Sequence, residues 1–359
     1  MEKGQIMIKQ WNDISHKYEG ASLILGNGAS IAFSNVFDYT RLYEVANDNN
    51  YINPKLRSLF RKFGTTNFEL VLYRLWQAKE VLNLLQGNTN IVDENYSLCR
   101  NALIKTVKDA HIQYDKDDEV FVDKLQNASN FLKNFNIVYS LNYDLILYWV
   151  IAMGNREGTI FKDCFWEKFP DTNFNLFNSN WSFLKKPVCG QKKAILIFYP
   201  HGNLTLARVK QKHLNEIDLK IVSAAEMHLD AIIETWKNDN LEPVFISEGD
   251  CTEKRNRIYE SHYLNSVYEK GFEEIGQKLV LYGWSISKED NHILERIQNI
   301  QKERKKLENN VTKKPIESIA VSVYQNGDEQ KFKNHVKDKL KYIATDIDFF
   351  NSSQGCWCF

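Results

Sequence analysis

Residues 22–30 read Ser-Leu-Ile-Leu-Gly-Asn-Gly-Ala-Ser, a short apolar run that ends in a glycine-rich turn. A run that is apolar on both faces is what a strand needs when helices cover both sides of its sheet. Similar runs, rich in β-branched and aromatic residues, recur at 137–141, 194–199, 244–247, 279–282 and 318–324. Because helical patterns lie between them, we predict an α/β fold with a Rossmann-like, mostly parallel sheet and helices on both faces.

Two stretches between these runs are longer than a simple crossover needs. The stretch 48–135 is dominated by helical patterns, and we predict a large helical insertion there, after the first strand. A smaller insertion is expected at about 210–240. The whole chain, 1–359, is read as one domain that includes both insertions.

The composition narrows the classes of partner. Lys plus Arg is 46 and Asp plus Glu is 46, so the formal net charge is zero and we expect no direct nucleic-acid binding and no membrane binding. The most apolar run, 145–153, is far shorter than the roughly 20 residues that span a bilayer. The first residues show no signal-peptide pattern. Six cysteines without a Cys-x-x-Cys pair argue against a thiolate zinc site and indicate reduced thiols in a cytoplasmic protein.

Small and polar residues follow the predicted strands. The clusters are Gly26-Asn27-Gly28-Ala29-Ser30, Asn142-Tyr143-Asp144, Pro200-His201-Gly202-Asn203, Ser247-Glu248-Gly249-Asp250 and Gly283-Trp284-Ser285. In a parallel sheet the carboxyl ends of the strands lie at one edge, and ligands of open α/β folds bind outside that edge. The sequence therefore predicts one crevice that gathers glycines, an Asn, an Asp, a His and a Ser.

Each cluster also has a purely structural explanation. The glycines at 26 and 28 would let backbone amides approach a phosphate, but a tight turn alone also explains them, and Ile31 stands where a dinucleotide-binding fingerprint would have its third glycine. A lone histidine such as His201 is more often structural than catalytic, and Asn142 and Asp144 are common turn and cap residues. For 287–290 we prefer a helix-capping role over a catalytic role of Asp290. The joint appearance of the clusters at one predicted edge favours a site.

Taken in order, the glycine turn, the Asn-Tyr-Asp segment, the His-Gly pair and the Gly-Trp-Ser segment resemble the motif set of the sirtuin-like NAD-binding fold. The resemblance covers about residues 20–295. It is closest to a prokaryotic branch with Gly-Asn-Gly turns and no zinc module, whose broader group acts in anti-phage defence by destroying NAD. The sirtuin Phe-Arg pair is not reproduced, because the corresponding stretch is 35–39, with Arg41 two residues later.

The resemblance implies a role for individual residues. Asn142 would contact the nicotinamide ribose or orient the attacking water, Asp144 would bond the nicotinamide carboxamide, and His201 would be the general base. The residues expected to bind NAD are Gly26, Asn27, Gly28, Ser30, Phe37, Tyr39, Ser247, Glu248, Gly283, Trp284 and Ser285. No metal is expected. A histidine with a pKa near 6.5 suits proton transfer at neutral pH.

The implied function is an NAD glycohydrolase that releases nicotinamide and ADP-ribose and depletes NAD in anti-phage defence. Two alternatives stay open: a non-catalytic module that binds NAD, ADP-ribose or another nucleotide, and an ADP-ribosyl or acyl transferase. Since the chain has no room for a separate sensor domain, we expect control by homo-oligomerisation or by a sensing partner protein. The end of the chain, 356–358, is expected to be frayed.

Overall fold

The computed structural model describes residues 7–37, 42–170, 172–187, 193–209, 217–221, 228–237, 241–247, 249–306, 313–325 and 327–359. The strands are β1 (Ile8–Lys9), β2 (Ser22–Leu25), β3 (Ile137–Ser140), β4 (Phe161–Asp163), β5 (Phe165–Lys168), β6 (Phe174–Phe177), β7 (Ile195–Phe198), β8 (Gly202–Val209), β9 (Ile217–Ile221), β10 (Leu241–Phe245), β11 (Lys278–Tyr282), β12 (Ser318–Val323) and β13 (Asp346–Asn351). The helices are α1 (Trp11–Ile14), α2 (Asn27–Ile31), α3 (Leu42–Asp48), α4 (Pro54–Phe63), α5 (Phe68–Leu84), α6 (Asn90–Asp109), α7 (Glu119–Leu132), α8 (Ile146–Arg156), α9 (Trp181–Leu184), α10 (Leu229–Trp236), α11 (Cys251–Tyr259), α12 (His262–Ser266), α13 (Asn291–Lys306) and α14 (Glu329–Leu340).

The main sheet has eight strands in the order β1-β13-β12-β11-β2-β3-β7-β4. Every pairing in it is parallel. Strands β2, β3, β7 and β12 are buried along their whole length, as expected for strands with helices on both faces. The predicted Rossmann-like α/β fold is confirmed.

The prediction that 244–247 is a strand of the parallel sheet is wrong. The strand there is β10, which ends at Phe245 and pairs antiparallel with β8 in a second sheet of order β10-β8-β9-β6-β5. All of β10 is buried, and a short buried run does not reveal to which sheet it belongs. Gly202, at the start of β8, has φ +74°, and a Cβ there would lie 2.2 Å from the Val244 carbonyl oxygen, so this close approach of the two strands requires glycine.

A helical insertion follows β2, as predicted, and comprises α3 to α7. Its last helix packs on α8, where the Phe121 and Trp149 rings lie 5.6 Å apart. The described part of the smaller insertion, 210–240, consists of β9 and α10, and its remainder lies outside the described residues. None of the described helices has the length and apolar character needed to cross a membrane.

The expectation of a frayed end at 356–358 is wrong. Cys356, Trp357 and Cys358 are all buried. The Trp357 indole donates a hydrogen bond of 2.8 Å to the Ala29 carbonyl oxygen and packs on the Phe33 ring at 5.8 Å. Burial of an indole with its N–H satisfied is strongly favourable. The end of the chain therefore supports α2, the short helix that carries the glycine-rich turn.

Candidate functional site

A cavity of about 740 Å³ lies at the carboxyl edge of the parallel sheet, beyond β2, β3, β7 and β11. This is a usual size for a small-molecule site, at the usual place in an open α/β sheet. We call it the strand-end cavity. Its lining residues are Gly26, Asn27, Gly28, Ile31, Phe37, Glu44, Leu141, Asn142, Tyr143, Asp144, His201, Ile246, Ser247, Lys254, Gly283, Trp284, Ser285 and Asp290.

Most residues of the predicted site line this cavity. Ser247 lies on it although β10 belongs to the second sheet, because the chain after β10 returns to the edge of the first. Ser30 does not line it and is buried beneath. Tyr39 and Glu248 lie outside the described residues. The structure thus brings together segments that are more than 250 residues apart in sequence.

The glycine-rich turn uses its backbone amides within the protein. The Gly26 amide donates to the Tyr282 carbonyl oxygen at 2.9 Å, and the Gly28 amide donates to the Gly283 carbonyl oxygen at 2.8 Å. A Cβ on Gly28 would lie 2.7 Å from the Gly283 Cα atom. These glycines therefore allow the turns after β2 and β11 to touch, and neither of the two amides is available to a phosphate as the sequence suggested.

Ser30 links Asn142 to Asp144. The Asn142 Nδ2 group donates to the Gly26 carbonyl oxygen and to Ser30 Oγ, each at 2.9 Å. The Ser30 hydroxyl in turn donates to Asp144 Oδ2. Since both Nδ2 protons are used, Oδ1 is the polar atom of Asn142 left without a partner among the described residues. Ser30 therefore helps to hold the amide of Asn142, a residue that lines the cavity, in one orientation.

Asp144 is buried and well bonded. Its Oδ1 accepts the amide of Ile146, the first residue of α8, at 2.8 Å, so Asp144 is a turn residue, whereas the N-cap position of α8 is Leu145 and the expected cap role of Asp144 is wrong. Burial raises the pKa of Asp144, while the nearby His111 and the bonds from Ser30 and Ile146 oppose that rise. The His111 ring packs edge-on against Phe37 at 5.3 Å, and its Nε2 accepts the Leu145 amide at 3.0 Å. This side of the cavity is a rigid network of hydrogen bonds.

His201 is buried and bonded at both ring nitrogens. Its Nδ1 lies 3.2 Å from the Leu141 carbonyl oxygen, which can only accept, so the proton is on Nδ1. Its Nε2 lies 2.9 Å from Nε2 of His292. His292 must therefore be the donor in this pair, and its Nδ1 is buried without a partner among the described residues. To act as the predicted general base, His201 would first have to release His292.

The pKa values of both histidines are low. Burial, with a smaller contribution from Lys254, lowers the pKa of His201 to about 4. Burial and the neighbouring His201 lower the pKa of His292 to about 2. Both rings are therefore neutral at pH 7, which agrees with the hydrogen bond between their two Nε2 atoms, where one nitrogen donates and the other accepts.

A half-buried ion pair completes this side of the cavity. The Lys254 ammonium lies 2.8 Å from Asp290 Oδ1, and the Trp284 indole donates to Asp290 Oδ2 at 3.1 Å. Burial opposes the ionisation of Asp290, but a protonated His201 and the Lys254 ammonium together lower its pKa to about 2. The preference for a capping role of 287–290 is wrong, because Ser287 makes no side-chain capping bond and Asp290 lines the cavity.

Sequence reasoning missed His292 and His111 as neighbours of the site, and it noted Lys254, which follows the 247–250 cluster, without a definite role. Lys254 and His292 lie on helices α11 and α13, and His111 follows α6, so no strand-end rule selects them. A charged residue inside a helix is usually solvated, and only packing reveals that Lys254 and Asp290 meet. The one sequence signal that could have pointed to this cluster is Asp290 and His292, two positions apart, after the Gly-Trp-Ser segment.

The described residues contain no group of three or more His, Cys, Asp or Glu side chains that could hold a metal ion. No curated protein matches the sequence. A family model described as a domain of unknown function (DUF4917) matches residues 23–357, from the first strand of the site through the tail that supports its glycine turn. The chain is therefore a member of the DUF4917 family.

Proposed function

We propose that the protein is an NAD glycohydrolase, which cleaves the bond between nicotinamide and ribose and releases nicotinamide and ADP-ribose. The observation that carries the proposal is the orientation of Asn142. With Nδ2 fixed by Gly26 and Ser30, Oδ1 is the remaining acceptor of a residue that lines a cavity of suitable size at the edge where α/β folds bind nucleotides. A neutral acceptor can orient a water molecule or a ribose hydroxyl without taking a proton.

The reaction asks little of a general base. Nicotinamide leaves as a neutral ring from a cationic one, so no acid is needed to protonate it. The sugar becomes oxocarbenium-like, water adds to the carbon that nicotinamide leaves, and the excess proton passes to solvent. Correct placement of the water therefore contributes more than its deprotonation. A His201 whose nitrogens are both engaged is compatible with this reaction as a positioning residue.

Other lining residues suit the rest of the substrate. Asp144 lies next to Asn142 in the cavity and is an acceptor for the nicotinamide carboxamide. Phe37 also lines the cavity, and Trp284 and Ser285 follow the carboxyl end of β11, the strand that pairs with β2. A role in anti-phage defence, control by self-association or a partner protein, and a cytoplasmic location are supported by the sirtuin-like resemblance and by cysteine usage, and are part of the proposal.

The test is to incubate the purified protein with NAD and to measure free nicotinamide. Asn142→Ala should reduce turnover by about 100-fold or more, because the acceptor that orients the water is lost. Asn334→Ala, on the exposed face of α14, is the matched control and should leave turnover unchanged. Equal turnover of Asn142→Ala and the wild type, with folding intact, would refute the assigned role.

A non-catalytic nucleotide-binding module is the second candidate, and the His201–His292 bond favours it, because neither nitrogen of His201 is free to exchange a proton. NAD binding by calorimetry without nicotinamide release, with and without a co-expressed neighbouring protein, would establish this candidate instead. Release of nicotinamide only when a protein acceptor becomes labelled would show a transferase.

A further inference from the structure

A second cavity, of about 830 Å³, adjoins the strand-end cavity. The two share Ser247 and Lys254 as lining residues, so Lys254 stands at their junction. The other residues that line the second cavity are Tyr43, Arg57, Phe60, Arg61, Gly64, Thr65, Thr66, Gly249, Asp250, Glu253 and Glu289. One of its walls therefore comes from the helical insertion and the other from α11 and the turn before α13.

The strand-end cavity offers little positive charge of its own. Among its described lining residues Lys254 is the one cation, since His201 is neutral at pH 7. The amides of Gly26 and Gly28, which the sequence assigned to phosphate, donate to backbone carbonyl groups of Tyr282 and Gly283. A phosphate in this region needs further cationic partners, and Arg57 and Arg61 line the second cavity that adjoins it.

Arg57 and Arg61 are four residues apart on α4, so they lie on the same face of that helix. Neither guanidinium lies within ion-pair distance of a described carboxylate. Arg57 Nε is buried without a hydrogen-bond partner among the described residues, and its Nη2 makes only a long contact of 3.5 Å with the Ile52 carbonyl oxygen. A buried donor without a partner is costly unless a ligand completes it.

The opposite wall carries carboxylates that are held by the protein's own backbone. Asp250 Oδ1 accepts the amides of Thr252 and Glu253, and Glu253 Oε2 accepts the Asp250 amide, which together form a capping box. A backbone hydrogen bond and the Ser287 side chain lower the pKa of Glu289. These carboxylates keep lone pairs that can accept from hydroxyl groups, so the cavity has an anion-binding wall and a hydroxyl-binding wall.

We infer that Lys254, Arg57 and Arg61 form a binding site for the phosphates of a phosphorylated sugar or nucleotide, which extends from the strand-end cavity into the second cavity. The arginines bind the phosphate oxygens, and the carboxylates of the opposite wall accept from the sugar hydroxyls. The adjacent Tyr43 and Phe60 rings, 5.0 Å apart, provide an apolar surface beside Arg57. For NAD as the ligand this inference rests on the proposed function, whereas for phosphate binding itself it does not.

The test measures the binding of pyrophosphate and of ADP-ribose by isothermal titration calorimetry. The double variant Arg57→Gln/Arg61→Gln removes both unpaired guanidiniums without breaking an ion pair, and should weaken the binding of both probes by about tenfold or more. Lys62→Gln, on the exposed side of the same helix, is the matched control and should change the affinity by less than about twofold.

A second variant addresses the junction itself. Because Lys254→Gln alone would leave the Asp290 carboxylate without its ion-pair partner, the change is combined with Asp290→Asn. This double variant should also weaken the binding of both probes by about tenfold. In either double variant, affinity should depend less steeply on salt concentration than it does in the wild type.

The outcomes separate this inference from the proposed function. If the Arg57→Gln/Arg61→Gln variant binds both probes like the wild type, the inference is overturned, even if the protein hydrolyses NAD. If the wild type binds pyrophosphate or ADP-ribose through these arginines but never releases nicotinamide, the inference holds and the proposed hydrolase fails. If NAD is hydrolysed and the variant raises KM with kcat unchanged, both stand.

Discussion

The two sides of the strand-end cavity use their polar groups differently. On the side of Ser30, Asn142 and Asp144, the groups bond to one another and to the backbone, and one acceptor, Asn142 Oδ1, is left over. On the side of His201 and His292, neutral rings form a short chain next to the charged pair of Lys254 and Asp290. The first arrangement fixes an orientation, whereas the second sets the local charge. A site that must hold a water molecule and an anionic ligand needs both.

Acid should weaken the histidine side most. The folded-state pKa of His201 is lowered to about 4, so the unfolded chain, near 6.5, binds the proton more readily. The stability from keeping this ring neutral is complete above pH 6.5 and is lost as the pH falls toward 4, by about 3 kcal/mol of unfolding free energy. Chemical denaturation at pH 7, 5.5 and 4 measures this loss of unfolding free energy.

The comparison needs variants, because other groups titrate in the same range. Burial also lowers the pKa of His111, while the raised pKa of Asp144 acts with the opposite sign. His292→Gln should make the loss between pH 6.5 and 4 smaller than in the wild type. His16→Gln, at an exposed position, should keep the wild-type slope. Equal slopes for all three proteins would contradict the buried neutral pair.

The contact between Gly283 and the glycine-rich turn after β2 should tolerate no added atom. Gly283 has φ +65°, and a Cβ there would lie 2.5 Å from the Ala29 nitrogen and 2.7 Å from the Gly28 carbonyl carbon. Gly283→Ala should lower the free energy of unfolding by about 2–3 kcal/mol, as overpacking adds to the cost of the left-handed conformation.

Gly64 provides the matched control for that substitution. It has the same φ of +65°, but no atom lies within 4 Å of its Cβ position. Gly64→Ala should therefore cost only about 1 kcal/mol, measured by the same urea titration. If the two variants lose equal stability, the close approach between the turns after β2 and β11 is not the reason why position 283 requires glycine.

The smallest effect is expected for the hydroxyl that joins Asn142 to Asp144. Ser30→Ala removes one donor and one acceptor from a buried network and should cost about 1–2 kcal/mol of stability. It should also lower the kcat for NAD more than it raises KM, because Asn142 is no longer held in one orientation. Ser58→Ala, on the exposed side of α4, should change neither quantity.

The fold was largely predictable from short runs that are apolar on both faces. Such runs located β2 at its observed bounds and β3, β7 and β11 within a residue or two, because a doubly covered parallel strand has no polar face. The same signal misplaced β10. Its side chains are also buried, and burial does not distinguish pairing with β8 from pairing in the parallel sheet.

The site was predictable only in part. Residues that follow strands at the carboxyl edge, such as Asn142 and Gly283, could be expected at one crevice. His292 could not, and the role of Lys254 stayed open, since both reach the crevice from helices whose orientation depends on packing. The Gly26 and Gly28 amides were predicted to bind phosphate, but they donate to backbone carbonyl groups. A glycine-rich sequence is equally compatible with phosphate binding and with close contact between two backbone segments.

The sequence by itself determined the alternation of strands and helices and the kinds of residue that follow each strand, because those properties depend on local pattern. Tertiary structure alone decided which partner each polar group has: Gly28 donates to Gly283, His201 bonds to His292, and the terminal Trp357 supports Ala29. Hydrogen bonds reach only about 3 Å. Whether a residue is a ligand contact or a structural one is therefore set by distances that only the folded chain fixes.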